Sequence, residues 1–307
     1  MLFDMEMARR ESLSKVILNS KREIGKKRSF ANRILVNPIS KFTKRWASYF
    51  ISIYIYRDSI RKTNKLKIIN TKPKKIVILG SGPSLVNLDH NYLNDIQKAG
   101  GLTIAVNHWD QSLCSKFHTP DWLVLVSNVT FDNKTDYVAK KTKDLIRYLN
   151  DNENIKVAVP WPLVPQLNSY INRDRVFGFC NISEPVLGGF NPNYPKKFSG
   201  STVFFALAWA KFLGYASCGL IGFDNTYPFD IFVDADNKIY NLEFDSDGKE
   251  FLVDISGDYD SVAARLDALA KLFDDFRLFK GNVYNLSKYS LIDQFPKASP
   301  SDFSKFI

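Results

Sequence analysis

Lys74-Lys75-Ile76-Val77-Ile78-Leu79 runs directly into Gly80-Ser81-Gly82-Pro83-Ser84-Leu85, and this junction restricts the possible folds more than any other stretch of the chain. Ile76 to Leu79 is a short unbroken apolar run, the pattern of a strand covered on both faces. Helix-like sequence follows the glycines. A buried parallel strand that turns toward a helix leaves backbone N–H groups aimed at one spot, which suits a phosphate. Gly80 and Gly82 accept positive φ and close approach of a ligand, and Ser81 and Ser84 add hydroxyl donors around Pro83. No Gly-Lys-Ser/Thr follows, and the third glycine of the dinucleotide fingerprint is missing. A strand-to-helix turn without a ligand is the plain alternative.

Beyond this junction the pattern is α/β. Strands are expected at Ile76 to Leu79, Leu102 to Val106, Trp122 to Val126, Ile155 to Val159 and Ser217 to Ile221, with a last short one at Val283 to Leu286. Helices are expected at Val86 to Ala99, Asp136 to Leu149 and Ser261 to Phe276, the last with Val262, Leu266, Leu269 and Phe273 on its apolar face. Short apolar strands separated by helices imply a Rossmann-like, mostly parallel sheet with helices on both faces. The first three strands end in Gly80-Ser81, Asn107-His108 and Ser127-Asn128, and strand five ends in Gly222-Phe223-Asp224. In open parallel sheets ligands bind outside the carboxyl ends of strands, so these residues are candidate contacts; each is also an ordinary helix cap.

Ser199-Gly200-Ser201-Thr202 precedes an almost wholly apolar run, Val203 to Leu213. A helix apolar all round is buried, so its N-terminus is a fixed dipole end and a second candidate anion site. Pro160 to Lys197 is proline-rich and expected to be irregular. Asn225 to Asp260, rich in Asp, Asn, Gly and aromatics, is expected to be a lid or binding loop. Its Asp234 to Lys238 and Asp245 to Gly248 stretches read as β-turns, since neither completes a calcium loop.

Charge divides the chain. Residues 1–75 hold 20 Lys/Arg against 5 Asp/Glu, a net of +15, whereas the remainder holds 22 against 27, a net of −5. A mildly acidic body argues against nucleic acid as its substrate. Residues 1–72 therefore read as a basic helical extension and residues 73–307 as the α/β domain, with the lid at about 225–260. Within the extension, Trp46, Tyr49, Phe50 and Ile53 share one helical face between basic residues. That apolar stretch is about half the ~20 residues needed to cross a bilayer. Residues 41–57 suit an anionic membrane surface, docking on the protein's own core, or a homo-oligomer contact. Three scattered cysteines and three histidines give neither a disulfide framework nor a zinc spacing, and a reducing compartment is expected.

Gly80-Ser81-Gly82-Pro83-Ser84-Leu85, then Ser199-Gly200 opening an apolar helix, then Leu213-Gly214-Tyr215 and a strand into Gly222-Phe223-Asp224 resemble, in that order, the bacterial lipooligosaccharide sialyltransferases. The set also resembles a wider group of pterin diphosphokinase-like and motility accessory proteins. The first resemblance implies inverting, metal-independent transfer of sialic acid or a related nonulosonate from a CMP-activated donor to a glycan or glycolipid of lipooligosaccharide or capsule. No cofactor is expected. The enzyme would be cytoplasmic and peripheral to the inner face of the membrane. Gly80 to Ser84 and Asn107 would hold the nucleotide, with Ser127, Asn128, Ser199, Gly200, Ser201, Thr202 and Asp224 around it. Tyr227 and Lys197 would meet the leaving phosphate. The family's base is a histidine at the end of the lid, and no histidine follows His118 here. Asp254, Asp258, Asp260 or His108 would have to replace it. The second resemblance implies instead Mg²⁺-dependent transfer of diphosphate from ATP, with Asp224 and Asp258 as ligands, and a non-catalytic nucleotide-binding protein is a further alternative.

Overall fold

Odd and even residues of the first strand face opposite ways, and the whole architecture follows from that. The computed structural model describes residues 46–47, 49–69, 74–85, 88–126, 136–181, 191–194, 202–223, 231–244, 250–254, 261–279, 281–288, 290 and 292–305. Seven strands form one sheet: β1 (Lys74–Leu79), β2 (Leu102–Val106), β3 (Trp122–Val124), β4 (Lys156–Pro160), β5 (Val176–Phe179), β6 (Tyr215–Ile221) and, after three strands of a second sheet, β10 (Val283–Asn285). Their order is β10-β6-β1-β2-β3-β4-β5, and every neighbouring pair is parallel. This is the Rossmann-like α/β sheet expected from the sequence.

Helices α1 (Arg57–Ile69), α2 (His90–Lys98), α3 (Asp136–Asp151), the short α4 (Val164–Leu167), α5 (Thr202–Phe212), α6 (Val262–Phe276) and α7 (Pro300–Lys305) complete the regular structure. On one face of the sheet Ile76, Ile78, Ile104 and Val124 pack with α5 and with Phe276 of α6. On the other, Val77, Leu79, Ala105 and Leu123 pack with Leu93 of α2 and Leu145 of α3. Burying both faces is what near-continuous apolar strands require. Nine residues of α5 are buried, as its all-round apolar sequence demands.

Four expectations change. The helix expected from Val86 begins at His90, where Asp89 accepts a hydrogen bond from Asn91 N at 2.9 Å, and a 3₁₀ turn, Pro83–Leu85, follows the glycines before it. The proline-rich stretch contains a strand, β5, whose four residues are too few to show a period. The expected lid loop contains an antiparallel meander, β7 (Ile231–Val233), β8 (Ile239–Phe244) and β9 (Glu250–Asp254). Its first turn is an Asp turn, with Asp234 Oδ1 accepting from Asp236 N and Lys238 N, both at 2.9 Å. Finally, Leu266 of α6 is exposed, and the helix instead buries Phe276.

Chain contacts divide the molecule at Ile55/Tyr56. Helix α1, which falls within the stretch read from sequence as the extension, therefore folds with the sheet. It covers the open edge of β5, where Lys62 Nζ donates to Val176 O at 2.8 Å and Thr63 Oγ1 to Gly178 O at 3.0 Å. These bonds occupy carbonyls that would otherwise invite another strand. In the other unit, residues 46–47 and 49–55 are helical, with Trp46, Tyr49 and Phe50 in mutual ring contact.

The amino edge of the sheet is tied by a polar network. His118 lies 2.9 Å from Thr103 Oγ1 through Nε2 and 3.1 Å from Asn94 Oδ1 through Nδ1, while Asp121 Oδ2 accepts from Thr103 N at 2.8 Å. Burial lowers the His118 pKa to about 4, against the opposing pull of the Asp121 charge. The unfolded chain, with an ordinary imidazole, takes up this proton at higher pH. Stability is therefore lost as pH falls from about 6.5 to about 4, by up to about 3 kcal/mol. Urea titrations across this window should show that loss, and His118→Gln should flatten its slope.

Candidate functional site

The chain lays down β1 to β5 in sequence and then returns to the other side of β1 with β6, so the order reverses between β1 and β6. Such a switch point is where a crevice opens in folds of this class. Here the backbone closes it. Gly80 N donates to Ile221 O and Gly82 N to Gly222 O, each at 2.8 Å. Gly222 N in turn donates to Ser84 Oγ at 3.0 Å and to Ser287 Oγ at 3.1 Å, and the two hydroxyls are 2.9 Å apart. A Cβ on Gly80 would lie 2.1 Å from Gly222 O, and Gly222 itself has φ +76°. The glycines are there because two backbones touch. The N–H groups of Gly80 and Gly82, expected to face a phosphate, are already donated; Ser81 is exposed beside them, and Pro83 opens the 3₁₀ turn.

The open part of the rim lies over β2. Asn107 continues the ladder by donating its N–H to Val124 O at 3.0 Å, and then turns the chain with φ 50°. Asparagine is among the few residues that tolerate this conformation. Its Nδ2 donates to Thr202 Oγ1 at 3.1 Å. Thr202 is the first residue of α5, so the end of β2 and the N-terminus of a buried helix are joined by one side-chain bond. The first-turn N–H groups of such a helix have no partner within it, and its dipole favours negative charge there.

His108 and Asp110 follow at once. Asp110 is only 4% exposed at its side chain, and its Oδ1 lies 3.7 Å from His108 Nδ1. Among the described residues neither of these two buried atoms has a hydrogen-bond partner. Tyr148 of α3 stands close by: burial pushes its pKa up to about 12, with the Trp109 N–H lowering it and the Asp110 charge raising it. Asp110 was not singled out from sequence, although its spacing two residues after a strand-end histidine was the available signal.

Of the other residues expected at the site, Asp254 ends β9 in an exposed position. Ser127, Asn128, Lys197, Ser199, Gly200, Ser201, Asp224, Tyr227, Asp258 and Asp260 lie outside the described residues. Among the described residues no group of three or more His, Cys, Asp or Glu side chains is placed to hold a metal ion.

No family model matches the chain, and no curated protein matches it in sequence. Among solved structures it is similar to the MAf glycosyltransferase from Magnetospirillum magneticum AMB-1, with a TM-score of 0.47 and 16% identity, over 76% of this chain and 36% of that one. The chain thus spans about a third of the length of that protein.

The Gly80–Gly222 contact has a direct test. Gly80→Ala forces backbone apart at the centre of the sheet and breaks bonds on both sides. It should cost more than about 3 kcal/mol, at the upper end of single-substitution effects. Ser81→Ala, at the exposed neighbour, should stay within about 0.5 kcal/mol. Guanidinium denaturation of the two variants measures both.

Proposed function

We propose that this chain is a glycosyltransferase that moves a sugar, sialic acid or a related nonulosonate, from a CMP-activated donor to a glycan or glycolipid, with inversion and without a metal. The observation that carries this reading is the Asn107–Thr202 bond, which brings a strand end in left-handed conformation against the N-terminus of a buried helix. An anionic phosphate fits there, with the nucleoside along the rim toward Gly80. The resemblance of the Gly80 to Ser84 and Ser199-Gly200 motifs to sialyltransferases supplies the donor class.

In this reading the N–H groups at the start of α5 meet the donor phosphate, with Lys197 and Tyr227 approaching the same phosphate. Fixed dipoles and a cation aimed at a leaving phosphate stabilise the charge that develops as the glycosidic bond breaks. Ser127, Asn128, Ser199, Gly200, Ser201 and Asp224 complete the nucleotide pocket.

A thermal-shift panel of CMP, CDP, UDP, GDP and ATP, with and without Mg²⁺, tests the reading. At a hundredfold excess over Kd a bound nucleotide stabilises by about 2.7 kcal/mol. CMP should raise the melting temperature without Mg²⁺, and Asn107→Ala should abolish the rise. A response to ATP that requires Mg²⁺, with none to CMP, points to diphosphate transfer instead and overturns the proposal.

The other unit supports a membrane-linked acceptor. Phe50, Ile51, Tyr54 and Ile55 are all exposed, a face shifted from the one expected, and Lys44, Arg45, Arg57 and Arg61 flank them. Among the described residues no helix is long and apolar enough to cross a membrane. Such a segment suits the surface of an anionic bilayer, where a lipid-linked acceptor would be presented. The protein should cosediment with vesicles containing about one-third anionic lipid, less so as salt rises, and Phe50→Ser with Tyr54→Ser should reduce the bound fraction severalfold. Equal binding to neutral vesicles would remove the electrostatic part of this reading.

A further inference from the structure

We infer that His108 is the general base for the acceptor hydroxyl and that Asp110 is the positioning residue that fixes its tautomer. This rests on the glycosyl-transfer reading above and deepens it. Three observations support it. First, Asp110 buries its carboxylate at the functional rim with Oδ1 lacking a hydrogen-bond partner among the described residues. A buried carboxylate left in this way is costly unless another group repays it. Second, His108 Nδ1, itself buried and without a hydrogen-bond partner among the described residues, lies 3.7 Å away. That separation is too long for a hydrogen bond but within the range that catalytic pairs close when substrate arrives. Third, Asn107, whose side chain is bonded to the first residue of α5, turns in left-handed conformation directly into His108, whose ring stays a quarter exposed.

The chemistry balances with these groups alone. With Nδ1–H directed at Asp110, Nε2 presents its lone pair on the exposed side. It accepts the hydroxyl proton as the acceptor oxygen bonds to the anomeric carbon. The bond from that carbon to the donor phosphate breaks, and CMP leaves with the electron pair. The imidazolium, stabilised by the Asp110 charge, then releases its proton to solvent. The carboxylate therefore acts through the histidine and touches no substrate.

The chain has three histidines, so long-range ¹H–¹⁵N spectra of the full-length protein can be assigned by single substitutions. At neutral pH His108 should show the Nδ1–H tautomer, which free imidazole disfavours, and Asp110→Asn should convert it to the Nε2–H form. An Nε2–H signal in the wild type overturns the positioning role, whatever the donor proves to be. In kinetics with CMP-N-acetylneuraminate, His108→Ala should lower kcat by about 10²- to 10⁴-fold, the usual range for losing a general base. Its CMP-induced melting shift should match the wild type, and added imidazole should restore part of the rate. Asp110→Asn should lower kcat at least roughly tenfold with KM unchanged, and the double variant should be no worse than His108→Ala. Full turnover by both His108→Ala and His108→Gln overturns the base assignment. Absence of any CMP response in the wild type instead removes the underlying reading and leaves the tautomer result to stand alone.

Discussion

The carboxyl edge of this sheet depends on two backbones meeting where neither has a side chain, at Gly80 and Gly222. Their contact prolongs the β1–β6 ladder past the end of the strands. It also collects two hydroxyls, Ser84 and Ser287, onto one N–H. The crevice that this topology ordinarily opens at the order reversal is therefore filled. The exposed chemistry moves one strand over, to β2, where Asn107 performs the turn that glycine performs at β1. The two strand ends are thus complementary: one is sealed and apolar-backed, and the other carries polar side chains joined to a helix start.

This displacement explains what the sequence made legible. Strand and helix identities were clear wherever apolar runs had length, as at Ile76 to Leu79 or Val203 to Leu213. The parallel order followed from their alternation. The role of Gly80 was not legible, because a glycine needed for a ligand and one needed for a neighbouring backbone look alike in a single chain. Its partner is Gly222, far along the sequence. β5 and the meander β7 to β9 escaped notice for another reason. Strands of three to six residues with a glycine or mixed polarity carry no measurable period. For Asp110 the sequence offers only its spacing from His108; the burial that singles it out appears in the fold alone.

The division of charge has a counterpart in the division of roles. The charge boundary, at about residue 75, and the contact boundary, at Ile55/Tyr56, do not coincide: α1 lies between them in sequence, is basic, and yet closes the edge of β5. Lys62 illustrates the economy of that helix. Its ammonium caps the Val176 carbonyl and also lies 4.4 Å from the Phe177 ring centroid, and burial lowers its pKa. A residue that would pass for one more positive charge in the extension is part of the sheet's boundary.

The strand order also has a consequence for how the molecule is made. β1 leaves the ribosome before the other strands of its sheet, yet it occupies the interior, with β2 on one flank and β6 on the other. Its first flank can be satisfied as soon as β2 emerges. The second must wait for β3, β4, β5 and α5 to be synthesised. Until then the Gly80 and Gly82 N–H groups and the apolar faces of the central strand are held open. Such long-range closure is slow and leaves an unpaired strand exposed in the meantime. Completion of the sheet, and with it the rim over β2, thus waits until β6 and β10 have been made.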